Sequence, residues 1–180
     1  MHLYTENNMY CTYYLKISAL KKQSSKVMIN LTDMRQTTGG DGTTMKLFMA
    51  THGHMDSGMM STLKLLFGAC PNLEVFDAYV DENSVQEKLE QFFNRTGTDE
   101  EVLLLSDIYG SSVNQAMYQW LSRPHTRLVT GINLAFLVEV SMRDEINDED
   151  LEQLIQDGRS ALKRVMPEEG SLPDNNEDFF

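Results

Sequence analysis

The sequence has few of the residues that indicate a secreted or nucleic-acid-binding protein. Its 180 residues include two cysteines, Cys11 and Cys70, which do not form a C-x-x-C pair, so no disulfide framework is expected. Lys and Arg total 15 against 27 Asp and Glu, which gives a net charge of −12. A surface that binds nucleic acid needs clustered basic residues. The acidic balance therefore predicts no nucleic-acid partner.

The sequence also lacks a long apolar run. No stretch approaches the roughly 18 apolar residues of a membrane-spanning helix, and residues 1–44 lack the basic and then apolar pattern of a secretory signal. A chain of 180 residues that is 41% hydrophobic can bury one well-packed core. We therefore expect one folded domain in a cytoplasmic protein.

Three segments of different character divide the chain. Residues 1–44 are polar, lack sustained periodicity and end in TTGGDGTT, which predicts either a disordered extension or a non-native start, with Met45 as the natural first residue. Residues 45–166 alternate between strand and helix patterns and are predicted to be the folded domain. Residues 167–180 combine acidic residues with two prolines and no basic residue. This composition is typical of a disordered tail.

Short apolar runs and helical periodicities alternate from Met45 onward. Strands are predicted at 45–50, 73–80, 102–106 and 127–131, and helices at 57–66, from 81 or 83 to 93, 113–121, 133–142 and 148–158. This alternation predicts a parallel sheet with helices on both faces, whose ligand site lies at the carboxyl ends of the strands. Functional side chains should therefore follow the first and third strands.

Those two positions hold a histidine and an aspartate. His52 lies in the segment THGH at 51–54, which follows the first predicted strand, and Asp107 follows the third. A neutral imidazole can attack phosphorus through one nitrogen when an acceptor fixes the proton on the other. If Asp107 accepts the Nδ1 proton, Nε2 of His52 becomes the nucleophile, and the carboxylate stabilises the positive charge that forms. The pair predicts a phosphoryl acceptor.

Three further residues are predicted to bind the phosphate. Gly53 permits close approach of the backbone, while Ser111 and Ser112 offer hydroxyl donors at the start of a helix, where amide groups and the helix dipole favour an anion. The phosphoryl group would be carried as phosphohistidine on His52, so neither a metal ion nor another cofactor is expected.

The same segment permits a zinc site. Residues 51–56, THGHMD, resemble the T-H-x-H-x-D-H motif of metallo-β-lactamase-type hydrolases, in which His and Asp bind zinc. Ser57 stands at the final His position, and only His125 follows downstream. A zinc hydrolase that uses His52, His54 and Asp56 is therefore an alternative, and a flavodoxin-like binding module without chemistry is another.

Short motifs follow one another in a characteristic order after Met45. They are THG at 51–53, FD at 76–77, LLLSD at 103–107, GSS at 110–112, GIN at 131–133 and LVE at 137–139. Together they resemble the IIA domain of the mannose/fructose/sorbose family of bacterial phosphotransferase systems. The phosphorylated histidine of that family corresponds to His52 and not His54, its orienting aspartate to Asp107, and its phosphate-contacting serine to Ser112. Ser111 replaces the usual second glycine of the serine loop.

The resemblance implies an architecture and a set of partners. The fold would be a flavodoxin-like α/β sheet in the order 2-1-3-4, with a fifth, antiparallel strand at 161–166 exchanged between the subunits of a homodimer. Phospho-HPr would phosphorylate His52, which would donate to the cognate IIB, while membrane components IIC and IID transport the sugar. The protein would be a phosphotransferase held peripherally at the inner face of the plasma membrane. The phosphotransfer subunit of dihydroxyacetone kinase is a related alternative.

Overall fold

A computed structural model describes residues 44–166 of the chain. The predicted N-terminal extension, apart from Thr44, and the predicted acidic tail at 167–180 lie outside the described residues. Both remain predictions.

The described chain alternates strand and helix from its first element, as the sequence predicts. The strands are β1 (Lys46–His52), β2 (Leu73–Ala78), β3 (Val102–Ser106) and β4 (Thr126–Thr130). The helices are α1 (Met55–Phe67), α2 (Val85–Asn94), α3 (Ser112–Tyr118), α4 (Leu134–Ser141) and α5 (Asp148–Ser160), and a short 3-10 turn, Gln119–Ser122, follows α3.

The four strands form one sheet in the order β2-β1-β3-β4, and all neighbouring strands are parallel. The predicted order 2-1-3-4 is therefore confirmed. The chain turns from β1 outward to β2 and later crosses to β3 on the other side of β1, so the topological switch point lies between β1 and β3. The carboxyl ends of these two strands, which carry His52 and Asp107, flank that point.

The sheet is covered on both faces because its central strands are apolar throughout. All five residues of β3 are buried, as is typical of a central parallel strand. Leu47 and Met49 of β1 pack with α1, α4 and α5 on one face, whereas Phe48 and Ala50 pack with α2 and α3 on the other. Each fully buried Leu, Met or Phe contributes about 1.5–3 kcal/mol, so the two cores hold the strand ends in fixed register.

Helix starts differ from the predicted ones where capping chemistry decides them. The α2 helix begins after Ser84, whose Oγ accepts the Glu87 N–H at 3.1 Å; Asp81 and Asn83 bond to each other in the preceding loop. The α3 helix begins at 112, one residue earlier than predicted, because Ser111 caps it.

The α4 and α5 helices pack closely at a glycine. Asn133 caps α4 by accepting the Phe136 N–H at 2.9 Å, and its Nδ2 donates to the Gly158 carbonyl of α5 at 2.7 Å. A Cβ at Gly158 would lie 2.8 Å from Cβ of Phe136, so only glycine permits this approach of the two helices.

The predicted fifth strand is not formed in this single chain. Residues 162–166 have no regular secondary structure, and β4 is an edge of the described sheet. The resemblance places this strand across a dimer, so it stays a prediction. In the described part of the chain, none of the helices has the length and apolar character needed to cross a membrane.

Candidate active site

The two residues predicted to act together lie in direct contact. Asp107 Oδ2 lies 2.8 Å from Nδ1 of His52 and also accepts the backbone N–H of His52 at 2.9 Å. Asp107 Oδ1 accepts the N–H of Ile108 at 2.8 Å. An ionised carboxylate only accepts hydrogen bonds, so Nδ1 carries the proton and Nε2 keeps its lone pair. The His52 side chain is 38% exposed, and a partner molecule can therefore reach it.

The environment of Asp107 keeps the carboxyl ionised. Partial burial by itself would raise its pKa, but the hydrogen bonds from the backbone and ring of His52 and from the Ile108 N–H outweigh burial and lower the pKa below its ordinary value. A negative charge is thus present at neutral pH beside the His52 ring. It can stabilise the positive charge that develops when Nε2 forms a bond to phosphorus.

Gly53 makes the turn from β1 into α1. Its φ of 64° lies in the left-handed region that favours glycine, and a Cβ there would meet nothing within 4 Å. Its N–H donates to the carbonyl of Ala78 at 2.9 Å and is thus already used within the fold. Its predicted role at the phosphate therefore depends on the missing side chain and not on the amide.

The two serines predicted to bind phosphate have different surroundings. Ser111 Oγ accepts the Asn114 N–H at 3.3 Å and so caps α3. Ser112 Oγ instead accepts a hydrogen bond from the hydroxyl of Tyr79. Of the two hydroxyl groups, that of Ser112 lies beside a residue that contacts His52.

The loop between β3 and α3 is braced by Asn114, whose role the sequence analysis missed. Asn114 is buried; its Oδ1 accepts the Gly110 N–H at 3.0 Å and its Nδ2 donates to Ser106 Oγ at 3.1 Å. These bonds tie the loop to the strand that precedes it. The sequence offered one signal of this role, because Asn114 is a polar residue at a core position of a helix.

Tyr79, directly after β2, also belongs to the site and was not predicted. Its ring stacks on the His52 ring, with centroids 5.4 Å apart and planes inclined at 26°. An aromatic residue after an apolar strand carries no distinctive signal in the sequence, because the contact depends on the conformation of the loop.

The second histidine of the motif forms a separate pair. His54 Nδ1 lies 2.8 Å from Asp77 Oδ2, and Asp77 Oδ1 accepts the Ser57 N–H at 3.0 Å. Burial by itself would raise the pKa of Asp77, but these bonds lower it. His54 is 74% exposed and has no bond to Asp107.

The zinc alternative has no ligand set in the described structure. His52 and His54 point their Nδ1 atoms at different aspartates, and Asp56 is fully buried, where its Oδ2 accepts the Thr51 N–H at 2.8 Å. His125 bonds to Glu101 at the amino ends of the strands, away from the motif. Among residues 44–166, no group of three or more His, Cys, Asp and Glu could hold a metal ion.

Burial of Asp56 makes a testable contribution to stability. Removal from water raises the pKa of this carboxyl from 3.8 to about 7; the negative charge of Asp77 adds to the rise and the hydrogen bond from the Thr51 N–H opposes it. Between these two values the native protein binds more protons than the unfolded chain. The wild type therefore loses stability as the pH rises from about 4 to about 7.

Replacing Asp56 by asparagine removes this pH dependence, so the stability of the variant relative to the wild type is expected to rise by about 2–4 kcal/mol between about pH 4 and pH 8. Asparagine has no proton to lose and can still accept the Thr51 N–H. Urea unfolding of both proteins between about pH 4 and pH 8 measures the difference, which should move in favour of asparagine as the pH rises. A difference that does not change with pH would contradict this account.

Comparison with known proteins places the chain in a family. Residues 46–157 match the family model described as the PTS system fructose IIA component. The mannose-specific EIIAB component of Escherichia coli K12 is 28% identical in an alignment of 138 residues, which covers 72% of this chain and 43% of that protein. The chain thus spans less than half the length of this curated relative.

Two solved structures are also similar. The mannose/sorbose-specific IIA subunit from Enterococcus faecalis has a TM-score of 0.61 and 25% identity, over 69% of this chain and 98% of that one. A PTS IIA protein associated with the fucose utilization operon of Streptococcus pneumoniae has a TM-score of 0.54 and 26% identity, over 67% of this chain and 93% of that one. The resemblance seen in the motifs is therefore confirmed. The family model covers more than half of the length of this chain, which therefore belongs to the family of fructose IIA components of the phosphotransferase system.

Proposed function

We propose that this chain is the phosphoryl-relay IIA component of a sugar phosphotransferase system. Nε2 of His52 accepts the phosphoryl group of phospho-HPr and passes it to the cognate IIB. The observation that carries the proposal is the 2.8 Å contact between His52 Nδ1 and Asp107, because it leaves Nε2 as the free nucleophilic nitrogen of a partly exposed ring. Membership of the IIA family supports the same relay.

The chemistry follows from this geometry. The Nε2 lone pair attacks phosphorus as the bond from phosphorus to the donor's histidine nitrogen breaks, and the donor ring leaves with that electron pair. The proton on Nδ1 of His52 stays hydrogen-bonded to Asp107, whose charge stabilises the phosphorylated ring. Transfer to the IIB histidine repeats the same step in the opposite direction. The phosphoryl group is carried as phosphohistidine, and the relay as proposed needs no other cofactor.

Two partners have to reach one imidazole in turn. Exposed apolar residues beside Asp107, Ile108 at 57% and Tyr109 at 85% exposure, offer a contact surface for each partner. The net charge of −12 is suited to attracting basic partner surfaces, an effect that salt weakens. The name of the E. coli relative joins an A and a B component, which supports IIB as the acceptor.

The resemblance to the family also implies a location and an assembly for the chain. We place the chain in the cytoplasm, as a homodimer held at the membrane through a transporter that contains IIC and IID. The matched family is that of sugar-system IIA components, which favours this function over the phosphotransfer subunit of dihydroxyacetone kinase.

Incubation of the purified chain with phosphoenolpyruvate, enzyme I and HPr tests the function. We expect one acid-labile phosphoryl group per chain, which peptide mapping assigns to His52, and no label when HPr is omitted. Phospho-HPr that labels another IIA protein in the same mixture but leaves this chain unlabelled would overturn the proposal. Label that maps to a residue other than His52 would overturn the assignment of the nucleophile.

A further inference from the structure

Tyr79 is held in a backbone conformation that tyrosine rarely adopts. Its φ of 65° lies in the left-handed region, and only His125 shares this feature among the non-glycine residues of the described structure. Such a conformation persists when surrounding contacts hold it, and residues of this kind cluster at functional sites. Tyr79 is 62% exposed, so burial in the core does not explain it.

The contacts of Tyr79 link three parts of the active site. Its backbone belongs to the loop after β2, its ring stacks on His52 at 5.4 Å, and its hydroxyl donates to Ser112 Oγ at 2.5 Å. One side chain thus joins the proposed nucleophile to the first residue of α3.

The hydrogen bond from Tyr79 also determines what Ser112 can do. A phenol is a stronger hydrogen-bond donor than an aliphatic alcohol, so we assign the Tyr79 hydroxyl as the donor and Ser112 Oγ as the acceptor. The hydroxyl proton of Ser112 is then left for another acceptor. A chain of hydroxyl groups polarises each member and strengthens the last donor. Ser111 does not occupy an equivalent place, because its Oγ accepts the Asn114 N–H at the start of α3.

We propose that Tyr79 is a positioning residue of the relay, which orients the Ser112 hydroxyl toward the phosphoryl group carried on Nε2 of His52. The proposal rests on the phosphoryl-relay function stated above. Ser112 Oγ–H donates to a phosphoryl oxygen as negative charge gathers there, and Tyr79 O–H donates to Ser112 Oγ. The stacked ring of Tyr79 restricts the imidazole and shields one of its faces from water.

Three variants test this inference in single-turnover transfer from phospho-HPr. Tyr79→Phe keeps the ring and removes the hydroxyl, and we expect the maximal rate to fall by roughly 3–10-fold, the usual effect of one hydrogen bond, with little change in the HPr concentration for half-maximal rate. Ser112→Ala should slow transfer too, and Tyr79→Phe should add nothing to it. Tyr118→Phe removes an exposed hydroxyl from α3 (68% exposed) and should leave the rate unchanged.

A purely structural role for Tyr79 predicts that a variant as stable as the wild type also transfers at the wild-type rate. Tyr79→Gly relieves the left-handed backbone and is expected to melt no lower than the wild type, yet to transfer more slowly than Tyr79→Phe because the stack is lost as well. Two results would overturn the inference while leaving the relay intact. One is a wild-type rate in Tyr79→Phe, and the other is an equal loss of rate from Tyr79→Phe in the wild-type and Ser112→Ala backgrounds. A wild type that takes no phosphate on His52 would overturn both.

Discussion

Replacing His52 by alanine is expected to abolish phosphoryl transfer from phospho-HPr, with a loss of at least about 10³-fold, because covalent transfer has no path without its nucleophile. The side chain is partly exposed and contributes little to the core, so the variant should fold. Acid-labile label after a single turnover measures the loss, and thermal melting verifies the fold.

His54 supplies the matched control for this experiment. Its Nδ1 is bonded to a carboxylate at 2.8 Å, as is that of His52, and its ring is more exposed, so simple accessibility would favour it as an acceptor. His54 lacks the stacked tyrosine and the hydrogen bond between its own backbone N–H and the partner carboxylate. We therefore expect His54→Ala to be labelled like the wild type, and label that survives in His52→Ala would contradict the assignment.

The placement of His52 and Asp107 could be predicted because it depends on topology alone. The apolar run predicted as a strand at 102–106 matches β3 residue for residue. Parallel strands bring their carboxyl ends to one edge of the sheet whatever the conformation of the loops. Two residues at the carboxyl ends of adjacent central strands must then lie close together. The left-handed turn at Gly53 was likewise open to prediction, since glycine takes that conformation without strain.

The contacts that depend on loop conformation could not be predicted in this way. Tyr79 reaches His52 through a left-handed φ that the sequence does not indicate. The different contacts of Ser111 and Ser112 depend on which of the two residues caps α3. The zinc-like spacing of His52, His54 and Asp56 was misleading because the chain passes from strand to turn to helix within five residues. Asp56 consequently lies in the core, where no ligand can reach it in this conformation.

Replacing Asp107 by asparagine is expected to slow phosphoryl transfer by about 10²–10⁴-fold while preserving the fold. Asp107 Oδ2 accepts both the backbone N–H and the ring Nδ1–H of His52, and Oδ1 accepts the Ile108 N–H. An amide has only one oxygen for these three donors. With that oxygen toward His52, its NH₂ group meets the Ile108 N–H and the compensating negative charge is lost. With the amide reversed, Nδ1 must accept a hydrogen bond from the NH₂ group, so the ring proton moves from Nδ1 to Nε2.

Both orientations of the introduced amide therefore remove part of what makes Nε2 a nucleophile, either the charge that stabilises its phosphorylated form or the lone pair itself. Nitrogen NMR of the His52 ring separates the two, because the reversed amide shifts the proton from Nδ1 to Nε2. Asp77→Asn makes the same change at the His54 pair and should transfer at close to the wild-type rate. An Asp107→Asn variant that keeps this rate would show that neither orientation nor charge from Asp107 is required for transfer to His52.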